Sequence, residues 1–359
     1  KDQLRQRFQT FGGKLSLRNL EPTEFGVNYH PTIRISVFNG TNDIKKATEA
    51  NSVLYVPIEK RINDNFAFNL GLTADLTNFR PRDTATIQNN LYSVAPALNY
   101  VTDNLSITAG VIPTWQNKEF KLLPNFTADI TTNNKYFTLQ FGWVGYYNKG
   151  SYERFASINP WISQPLSLLN TKADEIYGGF KGTLAEHFTY SAKLGYVSYR
   201  NMPLFLNDTI DGKNFNILYA TKMQSVLMHG EIGYIQGENF NANAFITINN
   251  YRIKEQPKAF GLQPLELGAN LRWQAVRNLW VNADLNIFGG APYQTLNKIS
   301  RSGESGIDLG AGLEYKITRQ INLWFQMNNI FNNKYERWNQ YPVYGFNILG
   351  GIIFSFNQK

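Results

Sequence analysis

Apolar and polar residues alternate one for one along most of this chain, the pattern of strands whose two faces meet different surroundings. Six segments show it most cleanly. Phe66, Phe68, Leu70, Leu72, Ala74 and Leu76 alternate with Ala67, Asn69, Gly71, Thr73 and Asp75. The same rhythm runs through Leu105–Val111, Phe137–Trp143, Phe240–Asn249, Leu279–Ile287 and Ile307–Ile317. The runs last about 9 to 13 residues, where strands of soluble proteins have about 5 or 6. A tilted strand needs roughly 9–11 residues to cross the hydrocarbon of a membrane. The pattern therefore predicts an all-β fold, a transmembrane antiparallel β-barrel with at least 16 strands. A soluble sandwich or β-helix would alternate over shorter runs.

Strands are expected near 25–39, 50–61, 65–78, 90–101, 104–117, 120–131, 135–148, 174–184, 187–201, 217–235, 239–252, 262–275, 279–290, 305–317, 321–331 and 343–356. Tight polar turns punctuate them at 63–65, 102–104, 132–134, 185–187, 237–239, 276–278 and 318–320. Longer loops fall between, among them 79–89, 149–170, 203–215 and 291–304. Short turns at one end and long loops at the other predict a periplasmic and an extracellular side. Tyr146, Tyr147, Tyr196, Tyr199, Trp338, Tyr341 and Tyr344 lie near strand ends, where amphipathic rings settle at a bilayer interface. Pro31, Pro96, Pro113 and Pro124, in or beside strands, are expected to mark bulges or bends.

One more alternating segment precedes the sixteen: Phe11, Gly13, Leu15 and Leu17 against Gly12, Lys14, Ser16 and Arg18. A seventeenth strand cannot close an all-antiparallel barrel. Either residues 1–19 lie off the wall, or an odd number of strands is missing upstream. The clean alternation favours the second, so residues 1–359 are expected to form a single barrel domain lacking upstream strand(s). Strands follow one another about every 21 residues, which leaves no room for a separate plug domain.

Composition narrows the classes further. Charged residues make up 17% of the 359, below the ~25% of soluble domains. The 14% aromatic content argues against disorder. Apolar runs such as Gly350–Phe354 are far shorter than the ~20 residues of a spanning helix. With no cysteine, disulfides and thiolate metal sites are excluded. The net charge of +8 forms no basic stripe on a groove-reading motif, so no nucleic-acid partner is expected.

The strand faces that read as lumenal carry Lys14, Arg18, Arg34, Lys181, Lys193, Arg272 and Lys316, and also Asp75, Asp129, Glu175, Glu231, Glu266, Asp284, Asp308 and Glu314. A pore selective for one sign of ion would show an excess of the other. Near balance points instead to a wall braced by ion pairs or one that contacts a polar filling. His30, His187 and His229 are too widely spaced for a zinc motif. His229 alternates with Glu231, but no nucleophile stands beside the pair in sequence. No catalytic, metal or cofactor residue is assigned, and the chain is not expected to be an enzyme.

The C-terminal end carries a resemblance. Asn328-Asn329-Ile330-Phe331-Asn332-Asn333-Lys334-Tyr335-Glu336-Arg337-Trp338, then Tyr341-Pro342, Gly345-Phe346 and Gly350-Gly351-Ile352-Ile353-Phe354-Ser355-Phe356 resemble the end of the barrel in TonB-dependent receptors of Bacteroidota type. The match covers residues 321–356, roughly a tenth of the chain. In that family the terminal aromatic strand is the signal read by the assembly machinery, which the resemblance assigns to Phe354 and Phe356. Asn357-Gln358-Lys359 extend past that usual end. The resemblance also implies an N-terminal plug, a TonB-contacting segment and 22 strands, and this sequence contains neither of the first two.

Three readings follow. The first is a plugless, non-energised barrel serving as a structural or accessory subunit of a larger outer-membrane complex. The second is a TonB-dependent nutrient transporter whose plug lies outside this sequence. The third is a passive porin. The expected partners are outer-membrane lipid and lipopolysaccharide, the β-barrel assembly machinery during insertion, and other outer-membrane proteins or lipoproteins in a stable complex.

Overall fold

A computed structural model describes residues 6–42, 45–132, 136–185 and 187–356. Asn133 and Asn134 of the expected turn 132–134, Lys135 at the start of the expected strand 135–148, Glu186 of the expected turn 185–187, and Asn357-Gln358-Lys359 lie outside the described residues. The wall begins with β1 (Gln6–Ser16), β2 (Val27–Tyr29), β3 (Thr32–Asn42), β4 (Lys45–Arg61), β5 (Phe66–Arg80) and β6 (Ile87–Val101). It continues with β7 (Leu105–Gln116), β8 (Glu119–Thr131) and β9 (Phe137–Asn148), then helix α1 (Tyr152–Ile158) in a loop, β10 (Thr171–Leu184) and β11 (Phe188–Arg200). A loop hairpin, β12 (Met202–Asn207) with β13 (Phe215–Ala220), precedes wall strands β14 (Met223–Gln236), β15 (Phe240–Ile253), β16 (Leu265–Val276) and β17 (Leu279–Phe288). A small ladder, β18 (Tyr293–Gln294) with β19 (Ser300–Arg301), comes before β20 (Gly306–Lys316) and β21 (Ile321–Asn328). The last loop holds β22 (Glu336–Trp338) and β23 (Tyr341–Pro342), and β24 (Asn347–Phe354) ends the wall.

One 18-stranded antiparallel sheet holds all the wall strands. Because β2 and β3 both pair with β4, on either side of the break at His30-Pro31, they occupy a single position. Among the described residues the positions therefore number seventeen, as the alternation implied, and β1 and β24 run in the same direction. Among the described residues, β1 pairs only with β3, and β24 only with β21. The sheet thus presents a seam with two unpaired edges.

The alternation becomes two faces. Trp143, Ile176, Leu194, Ile232, Ile246 and Leu313 point outward and are well exposed, as suits a surface that meets lipid. The buried clusters sit at the loop end instead of filling the sheet. One joins Phe38, Phe79, Tyr152, Phe155, Phe215 and Trp338; the other joins Leu204, Met223 and Phe260.

Polar turn residues close the opposite end by bonding backbone. Asn63 Oδ1 accepts from the N–H groups of Asn65 and Phe66, and Thr318 Oγ1 from those of Gln320 and Ile321. This is how short Asn and Thr turns outcompete longer connections. The division into short and long ends is incomplete. On the loop side, β7 and β8 join through Asn117 and Lys118, both at positive φ (45° and 84°), a two-residue hairpin turn that matches strand twist.

Two expectations are corrected. The run 217–235 is split: Phe215–Ala220 belongs to the loop hairpin, and the wall strand starts at Met223. The aromatic belt also loses several members. Trp338 is buried beneath the loops, Tyr341 stacks inside them, and Tyr146 and Tyr199 share the inner face with Ala173. Tyr147 and Tyr196 face outward. Proximity to a strand end does not separate the two cases, since alternation sends neighbouring rings to opposite faces.

Candidate functional site

The registers place the strand charges expected to be lumenal on one face, with Arg18 lying beyond the end of β1, while Lys172, Asp174 and Arg200 share the other face with Tyr147. Lys14 lies opposite Arg34, Asp129 opposite Gln140, Lys181 opposite Gln140's neighbour Thr138, and Glu314 opposite Trp280. Several then meet. Lys181 Nζ lies 2.9 Å from Asp129 Oδ2, and Arg272 Nη2 lies 3.4 Å from Glu314 Oε2. Lys193 Nζ sits 2.6 Å from the buried Glu175 Oε1, off the hydrogen-bonding axis, and 4.2 Å from the Tyr177 ring centroid. Tyr335 donates its hydroxyl to Asp308 Oδ2 at 3.0 Å. Burial together with that carboxylate pushes the Tyr335 phenol up to about 12. Glu266 lies near Arg337, whose guanidinium is pushed down by burial. Arg18 lines a concavity beyond β1 with Asn19 and Asn28. Among the described residues, Lys14, Arg34, Asp284 and Lys316 have no side-chain partner.

Glu231 Oε1 lies 2.9 Å from His229 Nε2, and Thr247 Oγ1 lies 2.8 Å from His229 Nδ1. Thr247 is the neighbour that sequence spacing could not supply, because it arrives from the next strand, opposite His229. The array has the connectivity of a nucleophile, a base and an orienting acid. The strand amides around Thr247 belong to ladders with β14 and β16, so they do not form an oxyanion cradle. The array bridges two strands.

The loop after β9 is fastened to the inner wall. Lys149 Nζ donates to Asp75 O at 2.7 Å and Asn89 O at 2.6 Å, and lies 3.1 Å from Asp75 Oδ1. Burial lowers its pKa, opposed by Asp75. Asn89 and Asn170 exchange side-chain bonds at 2.7 and 2.9 Å. Ser151 caps α1 by accepting from the Arg154 N–H. Buried Glu49 accepts from the N–H groups of Tyr152 and Glu153 and from Asn51 Nδ2. The Tyr152 ring packs on Phe38 and Phe79 and lies against Gly40, where a Cβ would come within 2.6 Å of it.

Above this floor the remaining loops interlock. Trp161 and Tyr341 stack with centroids 4.0 Å apart and planes 11° apart. Trp338 meets Phe205 and Phe215 edge-on. Tyr341 donates its hydroxyl to Lys213 O at 2.6 Å, and burial, with Asp211 and Asp208 nearby, pushes its phenol up to about 12. Asp208 organises the β12–β13 tip. Partial burial disfavours its charge, but N–H groups of Asn214, Ile210, Asp211 and Gly212 outweigh this and hold its carboxyl below the usual range.

Between α1 and the wall lies a cavity of about 710 Å³ that includes Lys14, Arg34, Asp75, Lys149 and Arg154. A separate, almost wholly apolar concavity of about 350 Å³ lies on the lipid-facing side, floored by Ala242, Ala244, Ala269 and Ala283. Among the described residues no group of three His, Cys, Asp or Glu is placed to hold a metal. Glu49, Lys149 and Trp161 were not singled out from sequence. Each works across more than 70 residues of chain or through a loop contact, and carries no local signature. Phe354 ends β24 facing outward, its ring 5.2 Å from that of exposed Phe356.

No protein-family model and no curated protein matches the chain. Solved structures do. The FrpB iron transporter from Neisseria meningitidis (F3-3 variant) superposes with a TM-score of 0.73 at 10% identity, covering 98% of this chain and 63% of that one. The copper transporter OprC gives 0.67 at 11%, covering 97% and 65%. The pyoverdine receptor FpvA from Pseudomonas aeruginosa PAO1 gives 0.69 at 12%, covering 98% and 62%. These are TonB-dependent outer-membrane receptors, and the chain spans less than two thirds of their length. It has the fold of their barrels, and an apolar outer wall of this kind belongs in an outer membrane.

Proposed function

We propose that the chain forms the lipid-facing wall and outer vestibule of an uptake receptor of the TonB-dependent type, admitting a small solute from outside into the lumen. The observation that carries this reading is the inward-folded canopy. Helix α1 is fastened to the inner wall through Glu49, and the distal loops are joined by the Trp161–Tyr341 stack. The mouth is therefore a shaped aromatic and polar surface, suited to selecting a solute.

The seam belongs to the same reading. Free strand edges cost several kcal/mol per unpaired group in lipid. Because β1 and β24 run the same way, these two edges cannot join each other as an antiparallel pair, and their closure by further strands is part of the proposal. A plug and an energy-coupling segment are part of the proposal.

A second reading rests on a different observation. Lys181–Asp129, Lys193–Glu175, Arg272–Glu314 and Lys149–Asp75 make the wall largely self-neutralising. Such a wall also suits a non-energised accessory subunit of an outer-membrane complex.

The test is solute accumulation by cells carrying the full-length protein, with and without a protonophore. Accumulation that collapses with the protonophore supports the receptor. Absence of accumulation together with a stoichiometric co-purifying partner overturns it in favour of the accessory role. Steady conductance in a planar bilayer overturns both in favour of a porin.

A further inference from the structure

Strands β1 and β3 set Lys14 directly opposite Arg34 on the inner face. Like charges placed cross-strand repel, so such a pair ordinarily recruits an acid. The acids nearby are already engaged. Asp75 lies in the same row, one strand beyond Val53, and binds Lys149 at 3.1 Å. Glu153 accepts from Thr10 Oγ1 at 3.1 Å and Asn51 Nδ2 at 3.2 Å. Glu49 is occupied by the α1 amides. Lys14 and Arg34 are left without hydrogen bond or ion pair among the described residues. From the helix side Arg154 faces the same space, its Nη1 donating to Lys149 O at 3.3 Å and, among the described residues, to no carboxylate.

These groups line the one cavity of about 710 Å³, a volume suited to a small molecule. Its charged residues are four cations, Lys14, Arg34, Lys149 and Arg154, and two acids, Asp75 and Glu153. Lys149 is saturated by Asp75 and two backbone carbonyls. Glu153 offsets one of the remaining three, so a net excess of two positive charges is shared among Lys14, Arg34 and Arg154, and the Ser36 side chain lines the same cavity as a neutral hydrogen-bonding group.

We propose that this cavity binds a small, multiply charged anion bearing carboxylate or phosphate groups, and that such anions are the substrate class of the receptor. The Arg34 and Arg154 guanidiniums offer paired N–H donors that match an oxyanion, and Lys14 adds a compact charge. The bound anion relieves the Lys14–Arg34 repulsion, so affinity arises where the empty site is destabilised. The proposal rests on the receptor reading, because it takes the inner face as the path of the solute.

The test is equilibrium binding to the full-length, detergent-solubilised protein by calorimetry, with citrate, pyrophosphate and sucrose as probes. Citrate and pyrophosphate separate the carboxylate from the phosphate class, and sucrose is the neutral control. The expected result is saturable binding of at least one anion. Affinity should weaken about tenfold or more in the Lys14→Gln/Arg34→Gln double variant and be largely retained in Arg34→Lys. Raising salt should weaken the wild-type affinity. Should the double variant fail to fold, Arg154→Gln, on the exposed helix surface, is expected to weaken anion binding likewise.

Absence of saturable anion binding, undiminished affinity in the folded variants, or preference for sucrose overturns the proposal. Cellular uptake separates it from the reading beneath it. An anion that binds at these residues but never accumulates leaves the site and removes the receptor. Energy-dependent accumulation of a neutral solute, insensitive to Lys14 and Arg34, does the reverse.

Discussion

Glu49 Oε2 accepts the backbone N–H of Tyr152 at 2.6 Å, joining β4 to the first turn of α1 across 103 residues of sequence. The carboxylate lies on the inner face, fully buried, and its other oxygen accepts from Glu153 N and Asn51 Nδ2. An acid at a helix N-terminus satisfies orphan amides and meets the favourable end of the helix dipole.

Glu49→Ala should leave those donors buried without partners, a loss of about 1–3 kcal/mol. The cost should fall on the loop rather than on the wall. Amide hydrogen exchange is expected to speed up over residues 149–170 while protection of β4 and β5 is retained. Glu49→Gln, which keeps the shape and one acceptor, should show a smaller effect.

Gly40→Ala should loosen the same loop by a different route. The added Cβ would lie 2.6 Å from Tyr152 Cε1, closer than packed carbons approach. Overpacking of this kind costs about 1–3 kcal/mol. Combining it with Tyr152→Leu should give less than the sum of the two single losses, measured by the same exchange experiment.

The two faces of the wall should differ in their tolerance of charge. Leu139→Arg and Ile246→Arg, both on the outer face, should each destabilise the protein by about 2–4 kcal/mol in urea titrations in lipid vesicles. Arginine at the inner-facing neighbour Gln140 should be tolerated. At Thr247 it should cost little beyond the His229 contact. Equal losses at inner and outer positions would refute the assignment of faces.

The β12–β13 tip should depend on pH through Asp208. Its carboxyl is held below the ordinary value by backbone N–H groups. A group depressed in the folded state contributes stability that is fully present above its unfolded value, near ~3.9, and lost as pH falls through the folded value. Exchange protection of the Ile210 and Asn214 amides should therefore be steady above about pH 5 and fall on further acidification. Asp208→Asn should flatten that dependence.

The Trp161–Tyr341 stack should couple the two loops that carry it. Trp161→Ala and Tyr341→Ala are expected to show a coupling of about 0.5–1.5 kcal/mol in a double-mutant cycle on loop opening. In the receptor reading, both variants should also lower solute accumulation while leaving the amount of protein in the membrane unchanged.

The number of wall positions and which residues of a strand share a face were legible in the sequence, whereas strand ends were not, as β14 and β24 show by starting at Met223 and Asn347. Both legible features follow from a period of two, and a one-residue slip would turn Leu139, Ile246 and their neighbours away from lipid. The same parity made the shared direction of β1 and β24 deducible before any coordinates. Tertiary structure decided the rest, because the contacts that build the mouth join residues with no local relation. Trp338 and Tyr341 read as interface aromatics until the loop turned them inward onto Phe215 and Trp161. Asp75 read as one lumenal charge among many until Lys149 arrived from a loop 74 residues away. Among the described residues, that capture left Lys14 and Arg34 facing each other without an ion-pair partner. Alternation encodes the side of the wall on which a charge lies; which charge finds a partner there depends on how the loops fold back.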